Sequence, residues 1–353
     1  MKNLLILSAF YYLISCSWFM NDDEINYKID ILAEENRPIY CSRFSVSETK
    51  ILYAVNSAPN LRIYALDIDG SNKKLLIDSI GYTDSAPIVS EHGQKFAFVH
   101  RIPVQSTTDI DVFLKIAYIN ETKPKTLFAV YESLFAIQFS PDTSLILFNW
   151  HHQISLSSYG NSIYTIKTDG TNMKQISGND NAIPVSFVPF SDRILGESDW
   201  DGSGFIYTLD LNGENMENVT VESSKFSAVS YSPDGNNLLC ISQQETNNGD
   251  INREIYIIQN DGSSQKRLTN NLFQDYPVAF SSDGQKILFY SNRDTKKDDD
   301  WEIYTMRTDG SKLKRLTANS TYDMPICFIN NDTQILFISK NNGKYKLKIL
   351  NLI

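Results

Sequence analysis

The chain has 353 residues with 42% hydrophobic and 21% charged side chains, a composition that excludes a disordered or collagen-like protein. Its 32 Lys and Arg residues are outnumbered by 42 Asp and Glu residues, and the net charge of −10 excludes a phosphate-binding surface and therefore nucleic acid as a partner. The 19 Tyr and 19 Phe residues favour a large core built from strands.

The first sixteen residues have the features of an export signal. Lys2 is followed by the apolar run Leu4–Ile14, which is shorter than a membrane-spanning helix. The run ends in Leu13-Ile14-Ser15-Cys16, which resembles the lipobox of bacterial lipoproteins. The resemblance implies that residues 1–15 are a signal peptide and that Cys16 becomes a lipid-modified N-terminus held in the membrane. The alternative is an ordinary secretory signal with an incidental cysteine.

Residues 16–25 are polar, and we expect them to tether the lipid to the folded domain. On this interpretation the protein belongs to the bacterial cell envelope, attached to the outer membrane on its periplasmic or external side. The other three cysteines are too few and too irregularly spaced for a disulfide framework. We expect buried thiols, with one bridge between Cys41 and Cys327 as the alternative.

A repeat of about 47 residues fills the rest of the chain, residues 26–353. Its first part is a strand, a tight turn and a second strand, seen best where Ser232-Pro233-Asp234-Gly235 precedes Leu238-Leu239-Cys240. An aromatic or aliphatic residue comes just before the turn motif of each copy, at intervals of 44 to 50 residues. The seven such residues are Phe44, Val89, Phe139, Phe187, Tyr231, Phe280 and Phe328.

The second part of the repeat is a hairpin. It is clearest where Ile303-Tyr304 leads to Asp309-Gly310 and then to Leu316-Thr317. Asp-Gly and Asn-Gly supply the positive φ angles that two-residue hairpins need. Each repeat is therefore predicted to form four antiparallel strands.

The predicted fold is all-β, a seven-bladed β-propeller, because four-stranded units of this size bury both faces only when they pack around an axis against two neighbours. The last copy shows only three strands, the third at Lys344–Leu350. The segment Asn26–Leu32 has the spacing of the missing fourth strand. We expect this N-terminal strand to complete the last blade and close the ring.

The repeat resembles that of the TolB-like propeller family over residues 26–353. The resemblance is carried by Ser291-Asn292-Arg293-Asp294, Trp301-Glu302-Ile303-Tyr304 and Arg315-Leu316-Thr317. It implies the fold but no single activity, because the family includes a periplasmic Tol-system protein, propellers of prolyl oligopeptidase-type enzymes and oligogalacturonate lyases. The Gly-x-Ser-x-Gly motif is absent from the sequence, which excludes a stand-alone serine peptidase.

In such a propeller the tight turns share one face. The longer loops that join second to third strands share the other face with the loops that enter each blade, here called the variable-loop face, and we expect function there. The candidate residues are Trp150, His151, His152, Trp200 and Arg293. Trp150 and Trp200 are predicted either to stack on a sugar or peptide or to pack between loops.

We predict no metal and no cofactor. His151 and His152 are adjacent in an extended segment, so they point to opposite sides, and no third ligand lies nearby in sequence. The segment from Asp199 to Asp210 resembles a calcium loop, but it continues as a strand and is interpreted as an ordinary loop.

Three aspartates share one position in the repeat, five residues before the aromatic or aliphatic marker: Asp84, Asp275 and Asp323. They would enter the innermost strands near the mouth of the central channel, where an acidic ring could attract a cation, an amine or a basic peptide. The alternative is that each carboxylate caps backbone donors in its own entry turn.

The sequence shows no catalytic constellation. It therefore predicts a monomeric binding or scaffolding module that is not an enzyme. Its partner would be an envelope protein or a small or glycan ligand on the variable-loop face. The alternatives are a glycan-binding surface lipoprotein and a polysaccharide lyase-like enzyme that uses the central funnel, for which the chain offers only four His residues.

Overall fold

A computed structural model describes residues 27–41, 50–104, 109–155, 158–177, 182–198, 205–220, 225–245, 251–294 and 300–352. These residues form seven antiparallel sheets of four strands each and no helix. Accordingly, no helix in the described part of the chain is long and apolar enough to cross a membrane. The predicted seven-bladed propeller is confirmed.

Six blades take four consecutive strands, and the seventh takes the last three strands with the first. Blade 1 contains β2 (Ile39–Cys41), β3 (Lys50–Ser57), β4 (Asn60–Asp67) and β5 (Lys74–Ile80); blade 2 contains β6 (Ile88–Val89), β7 (Lys95–Pro103), β8 (Ile110–Tyr118) and β9 (Lys125–Val130); blade 3 contains β10 (Ser133–Phe139), β11 (Leu145–Ser155), β12 (Ser158–Lys167) and β13 (Lys174–Gln175); blade 4 contains β14 (Ala182–Phe187), β15 (Arg193–Ser198), β16 (Phe205–Asp210) and β17 (Glu217–Asn218); blade 5 contains β18 (Phe226–Tyr231), β19 (Asn237–Glu245), β20 (Ile251–Gln259) and β21 (Gln265–Arg267); blade 6 contains β22 (Asp275–Phe280), β23 (Lys286–Ser291), β24 (Glu302–Arg307) and β25 (Lys314–Arg315); blade 7 contains β26 (Tyr322–Ile329), β27 (Gln334–Asn341), β28 (Lys344–Asn351) and β1 (Ile29–Glu35).

The first strands of successive blades contact one another, β18 with β22 and β22 with β26, so they line the central axis. The blades bury their faces against their neighbours, as where Phe96 and Phe98 of β7 share a cluster with Leu61 of β4. Blade backbones also approach closely at the hairpins. A Cβ added at Gly262, where φ is +74°, would lie 2.1 Å from the carbonyl O of Val219 in the preceding blade.

The three cysteines within the described residues are thiols. Cys240 and Cys327 are buried, and Cys41 of blade 1 packs against the cluster that contains Cys327 of blade 7. Burial raises the pKa of Cys240 and of Cys41, which keeps both thiols protonated.

Strand β1 closes the ring by pairing with β28, from Ile29 opposite Leu350 to Glu35 opposite Tyr345. The predicted closure is confirmed, but the strand lies three residues later than the predicted Asn26–Leu32. The difference arises because β28 is eight residues long and extends the pairing past residue 32. In blades 5 and 6 the outer strands end at Arg267 and Arg315, one residue before Leu268 and Leu316, which lie 12 residues before their markers as Leu32 lies 12 residues before Phe44.

Deleting Ile29–Glu35 should lower the free energy of unfolding by at least about 3 kcal/mol, because β28 becomes an unpaired edge and apolar contacts of Ala33 and Leu32 with blade 7 are lost. Chemical denaturation of the full chain measures this. A matched deletion of residues 17–23 is the control and should leave the unfolding midpoint unchanged. Equal midpoints for the two deletions would contradict closure by β1.

Candidate functional site

Of the residues selected from sequence, those that the structure describes lie in strands or in the loops next to them. Trp200, with residues 199–204 around it, lies outside the described residues. The others are described and fall in blades 2, 3, 6 and 7: Asp84, Trp150, His151, His152, Asp275, Arg293 and Asp323.

Asp84 lies in the loop that enters blade 2, and its side chain is 41% exposed. Its Oδ2 is 2.9 Å from Nη2 of Arg101, a nearly buried residue of β7. The same nitrogen donates to the carbonyl O of Leu134 in blade 3 at 2.9 Å. Asp84 therefore neutralises a guanidinium that links two blades, while part of its carboxylate remains open to solvent.

Trp150, His151 and His152 lie in the second half of β11 in blade 3. The indole N–H of Trp150 donates to Oε2 of Glu132 at 3.0 Å, and its ring centroid is 4.7 Å from that of His152. His151 faces the other side of the strand, with Nδ1 2.9 Å from Oδ1 of Asn161. The two imidazoles do not converge. A stacking role for Trp150 stays a prediction.

Asp275 is the first residue of β22 and is completely buried. Its Oδ1 accepts a hydrogen bond from the Ser291 hydroxyl at 2.6 Å and lies 2.6 Å from Nη2 of Arg293. Its Oδ2 accepts from the side chain of Asn271 at 2.7 Å. Arg293, whose side chain is 12% exposed, thus serves as the counterion of a buried carboxylate rather than as an open ligand contact.

Asp323 of β26 is also completely buried. Its Oδ2 accepts from the side chain of Asn319 at 2.8 Å, and its Oδ1 accepts from the hydroxyl of Thr321 at 2.7 Å. Both carboxylates are therefore buried, and their partners are side chains: Asn271, Ser291 and Arg293 for Asp275, and Asn319 and Thr321 for Asp323. This differs from the capping alternative, which expected bonds to backbone donors of the entry turn. An acidic ring that attracts a ligand at the channel mouth stays a prediction.

A buried glutamate completes this arrangement between blades 6 and 7. Oε1 of Glu302 accepts from Nη2 of Arg315 at 3.1 Å and from the backbone N–H of Asn319 at 2.7 Å. Asn319 therefore connects Glu302 to Asp323, and we call these four residues the junction framework. A second copy joins blades 5 and 6, and each member lies 48 residues earlier: Glu254, Arg267, Asn271 and Asp275.

The junction framework positions two aromatic side chains at the surface. Trp301 directly precedes Glu302, and Tyr322 directly precedes Asp323. Trp301 and Tyr322 form a β-bridge, the N–H of Asp323 donates to the carbonyl O of Trp301 at 2.9 Å, and the two ring centroids are 6.1 Å apart. The earlier copy displays a polar pair at the same two positions.

Arg253, Tyr276, Trp301 and Tyr322 form a continuous row across blades 5 to 7, here called the aromatic platform. The guanidinium carbon of Arg253 is 5.5 Å from the centroid of the Tyr276 ring, which is 5.3 Å from that of Trp301. Beneath them Tyr290 stacks on Tyr276 at 5.1 Å with an interplanar angle of 14°. All four platform residues are partly buried, and Tyr276, Trp301 and Tyr322 pack against the buried cluster that joins blades 6, 7 and 1.

The sequence analysis missed the aromatic platform, since it treated Trp301 only as part of the repeat. A signal was present. Arg253 and Trp301 are 48 residues apart, as are Gln274 and Tyr322, and each directly precedes a carboxylate that recurs at the same spacing. Recurring acids with changing neighbours indicate a constant framework that carries variable surface residues.

The junction framework of blades 6 and 7 is electrostatically unusual. Burial raises the pKa of Glu302 to about 7, and the nearby carboxylate of Asp323 adds to this shift, while Arg315 opposes it. Burial also raises the pKa of Asp323. Glu302 therefore changes its charge near neutral pH.

Within the described ranges, no three His, Cys, Asp or Glu side chains are grouped so that they could hold a metal ion.

Comparison with known proteins places the whole fold among β-propellers. The TolB beta propeller domain matches residues 42–252. The oligogalacturonate lyase of Vibrio parahaemolyticus is 15% identical with a TM-score of 0.68, over 95% of this chain and 96% of its own. An oligogalacturonate lyase in complex with manganese is 15% identical with a TM-score of 0.67, over 93% of this chain and 97% of its own. TolB from Acinetobacter baumannii is 17% identical with a TM-score of 0.51, over 89% of this chain and 79% of its own. No curated protein matches the chain.

The prediction that the chain is not an enzyme is corrected by these comparisons. It rested on the absence of a recognisable catalytic motif. Two structures that share the fold over nearly their whole length are lyases. At 15% identity the likeness establishes the fold, so any chemistry of this chain has to be argued from its own residues.

The stability that Glu302 contributes should be lost as pH rises from about 5 to about 8, whereas buried His100, whose pKa is lowered to about 4, contributes in the opposite sense below about pH 6.5. The folded state holds a proton on Glu302 up to about pH 7, whereas the unfolded chain releases it near pH 4.5. Between these values the folded state binds more protons than the unfolded chain, so this contribution to stability decreases as pH rises. The loss is on the order of 3 kcal/mol. The unfolding free energy of wild type minus that of Glu302→Gln should therefore fall over this pH interval in chemical denaturation, since the His100 contribution is common to both proteins, and Glu254→Gln is the matched control. Parallel profiles for wild type and Glu302→Gln would contradict the assignment.

Proposed function

Because this chain belongs to the TolB β-propeller family, we propose that it is a propeller of the bacterial envelope, anchored through lipid at Cys16, which binds an acidic saccharide on the aromatic platform. The single observation that carries the ligand site is the row of partly exposed rings that ends at Arg253. The anchor rests on the lipobox-like sequence that ends at Cys16.

The platform suits a ligand with flat, partly apolar faces and polar edges. Tyr276, Trp301 and Tyr322 are partly exposed, and tyrosine and tryptophan combine an apolar body with a polar group at its edge. Tyr290 supports the row from below and limits the rotation of Tyr276. The rings therefore need little ordering when a ligand binds, which favours affinity.

Arg253 supplies the charge that selects an acidic ligand. Its Nη1 is 3.3 Å from Oε1 of Gln274, a long contact, and its Nε forms no hydrogen bond with a described residue although it is buried. A carboxylate is the group that a guanidinium binds best, through two parallel hydrogen bonds. A uronic acid residue carries both a carboxylate and a ring for stacking. The fold shared with oligogalacturonate lyases supports the same ligand class.

We predict that Trp301→Ala weakens binding of an oligogalacturonate at least tenfold, because it removes the central ring of the row. Arg253→Gln should reduce affinity for the oligogalacturonate but not for a neutral oligosaccharide of equal length. Isothermal titration calorimetry measures both. Trp150→Ala tests the rival site in blade 3, where the ring of Trp150 packs on His152, and affinity stays unchanged in this variant if the platform is the site.

A loss of affinity in Trp150→Ala with none in Trp301→Ala would contradict the platform and place the site in blade 3. The same mixtures, followed by the ultraviolet absorbance of unsaturated uronide ends, test whether the bound saccharide is also cleaved by elimination. Absence of binding to any acidic saccharide would overturn the proposed ligand class.

The anchor is tested separately. Cys16→Ala should move the protein from the membrane fraction to the soluble envelope fraction and abolish labelling by a fatty-acid probe, since no lipid is then attached. Ser15→Ala retains the cysteine and serves as the control. Membrane association of Cys16→Ala equal to that of wild type would contradict lipid anchoring.

A further inference from the structure

The two copies of the junction framework differ in their charge balance. In the copy between blades 5 and 6, the two buried carboxylates of Glu254 and Asp275 face two guanidinium groups, those of Arg267 and Arg293. The formal charges of these two acids and two arginines cancel.

The copy between blades 6 and 7 has one guanidinium group fewer. Glu302 forms an ion pair with Arg315, but the residue 48 positions after Arg293 is Asn341, which is exposed and uncharged. The two acids Glu302 and Asp323 are both completely buried. With both ionised, Asp323 would be a buried carboxylate that no guanidinium pairs and that only the more distant Lys348 compensates, which is unfavourable.

The other polar groups that face this site do not replace the missing arginine. Asn319, Thr321 and Ser339 offer neutral hydrogen bonds, and Lys348 of β28 acts on Asp323 only through space. On the Glu302 side, the hydroxyl of Tyr304 donates a hydrogen bond to Oδ2 of Asp294 at 2.8 Å. Lys340 of β27 lies over the ring of Tyr345.

We propose that Glu302 and Asp323 together hold one proton, and that this proton sets the position of Trp301 and Tyr322 and so makes the affinity of the aromatic platform depend on pH. The inference rests on the proposed function for its ligand, but the proton and the two rings are properties of the chain alone. Glu302 and Asp323 are positioning residues in this account, since neither touches the ligand.

The charge of the two acids is coupled to the two rings through adjacent residues of the chain. Each acid is the direct neighbour of one ring-bearing residue, and the N–H of Asp323 donates to the carbonyl O of Trp301. Loss of the shared proton leaves two carboxylates that repel each other across Asn319. The strands β24 and β26 that carry them then separate, which opens the contact between the rings of Trp301 and Tyr322. The raised pKa of both acids agrees with this direction.

The test uses the full-length protein with Trp301 as its single tryptophan, through Trp18→Phe, Trp150→Phe and Trp200→Phe. We expect its fluorescence to change in one step with a midpoint near pH 7, and oligogalacturonate affinity to fall about fivefold from pH 6 to pH 8. Glu302→Gln should remove both changes. Asn341→Arg restores the counterion that the other copy has. It should make both the fluorescence and the affinity independent of pH, with the ligand bound at pH 8 as tightly as at pH 6.

Glu254→Gln is the matched control and should keep the step. A step that persists in both Glu302→Gln and Asn341→Arg, or the absence of any step in wild type, would overturn the proposal. If Glu302→Gln fails to fold, Asn341→Arg alone decides, because it adds a charge at an exposed position. A Glu302-dependent step without saccharide binding would support the proton device and overturn only the ligand assignment.

Discussion

Every blade of this protein depends on its two neighbours, because a four-stranded sheet has two apolar faces and cannot cover both by itself. The ring must therefore close, and it closes through the pairing of β1 with β28. Closure by backbone hydrogen bonds also removes the free sheet edge that an open ring would leave. Blade 7, which contains the joint, shares its buried cluster with blades 1 and 6, so the closure supports the same region that carries Trp301 and Tyr322.

The same packing explains why charged side chains occur deep between blades. The loops that enter blades 6 and 7 bring backbone N–H groups into sites closed to solvent, and Glu254 and Glu302 accept these N–H groups. A buried carboxylate needs a counterion, which Arg293 supplies for Asp275 and which is missing at Asn341. A single change in one repeat thus converts a structural framework into one that responds to protons.

Much of the fold could be predicted from the sequence because turn chemistry and the aromatic markers recur together. The Asp-Gly hairpins and the seven marker residues indicated blade number, strand order and closure. The site was harder to predict because its residues occupy repeat positions that look structural. Asp275 and Asp323 share their position with Asp84, yet only Asp84 is partly exposed, since burial depends on the loops of neighbouring blades rather than on sequence spacing. The place of Trp301 in the aromatic platform was not predicted for the same reason.

Hydrogen exchange of the full-length protein with and without an oligogalacturonate tests the central claim most directly, because it maps the bound ligand onto backbone amides without any substitution. The account predicts slower exchange at the variable-loop ends of β20, β22, β24 and β26, around Arg253, Tyr276, Trp301 and Tyr322. Slower exchange confined to β11 around Trp150, or to the tight turns on the opposite face, would contradict it.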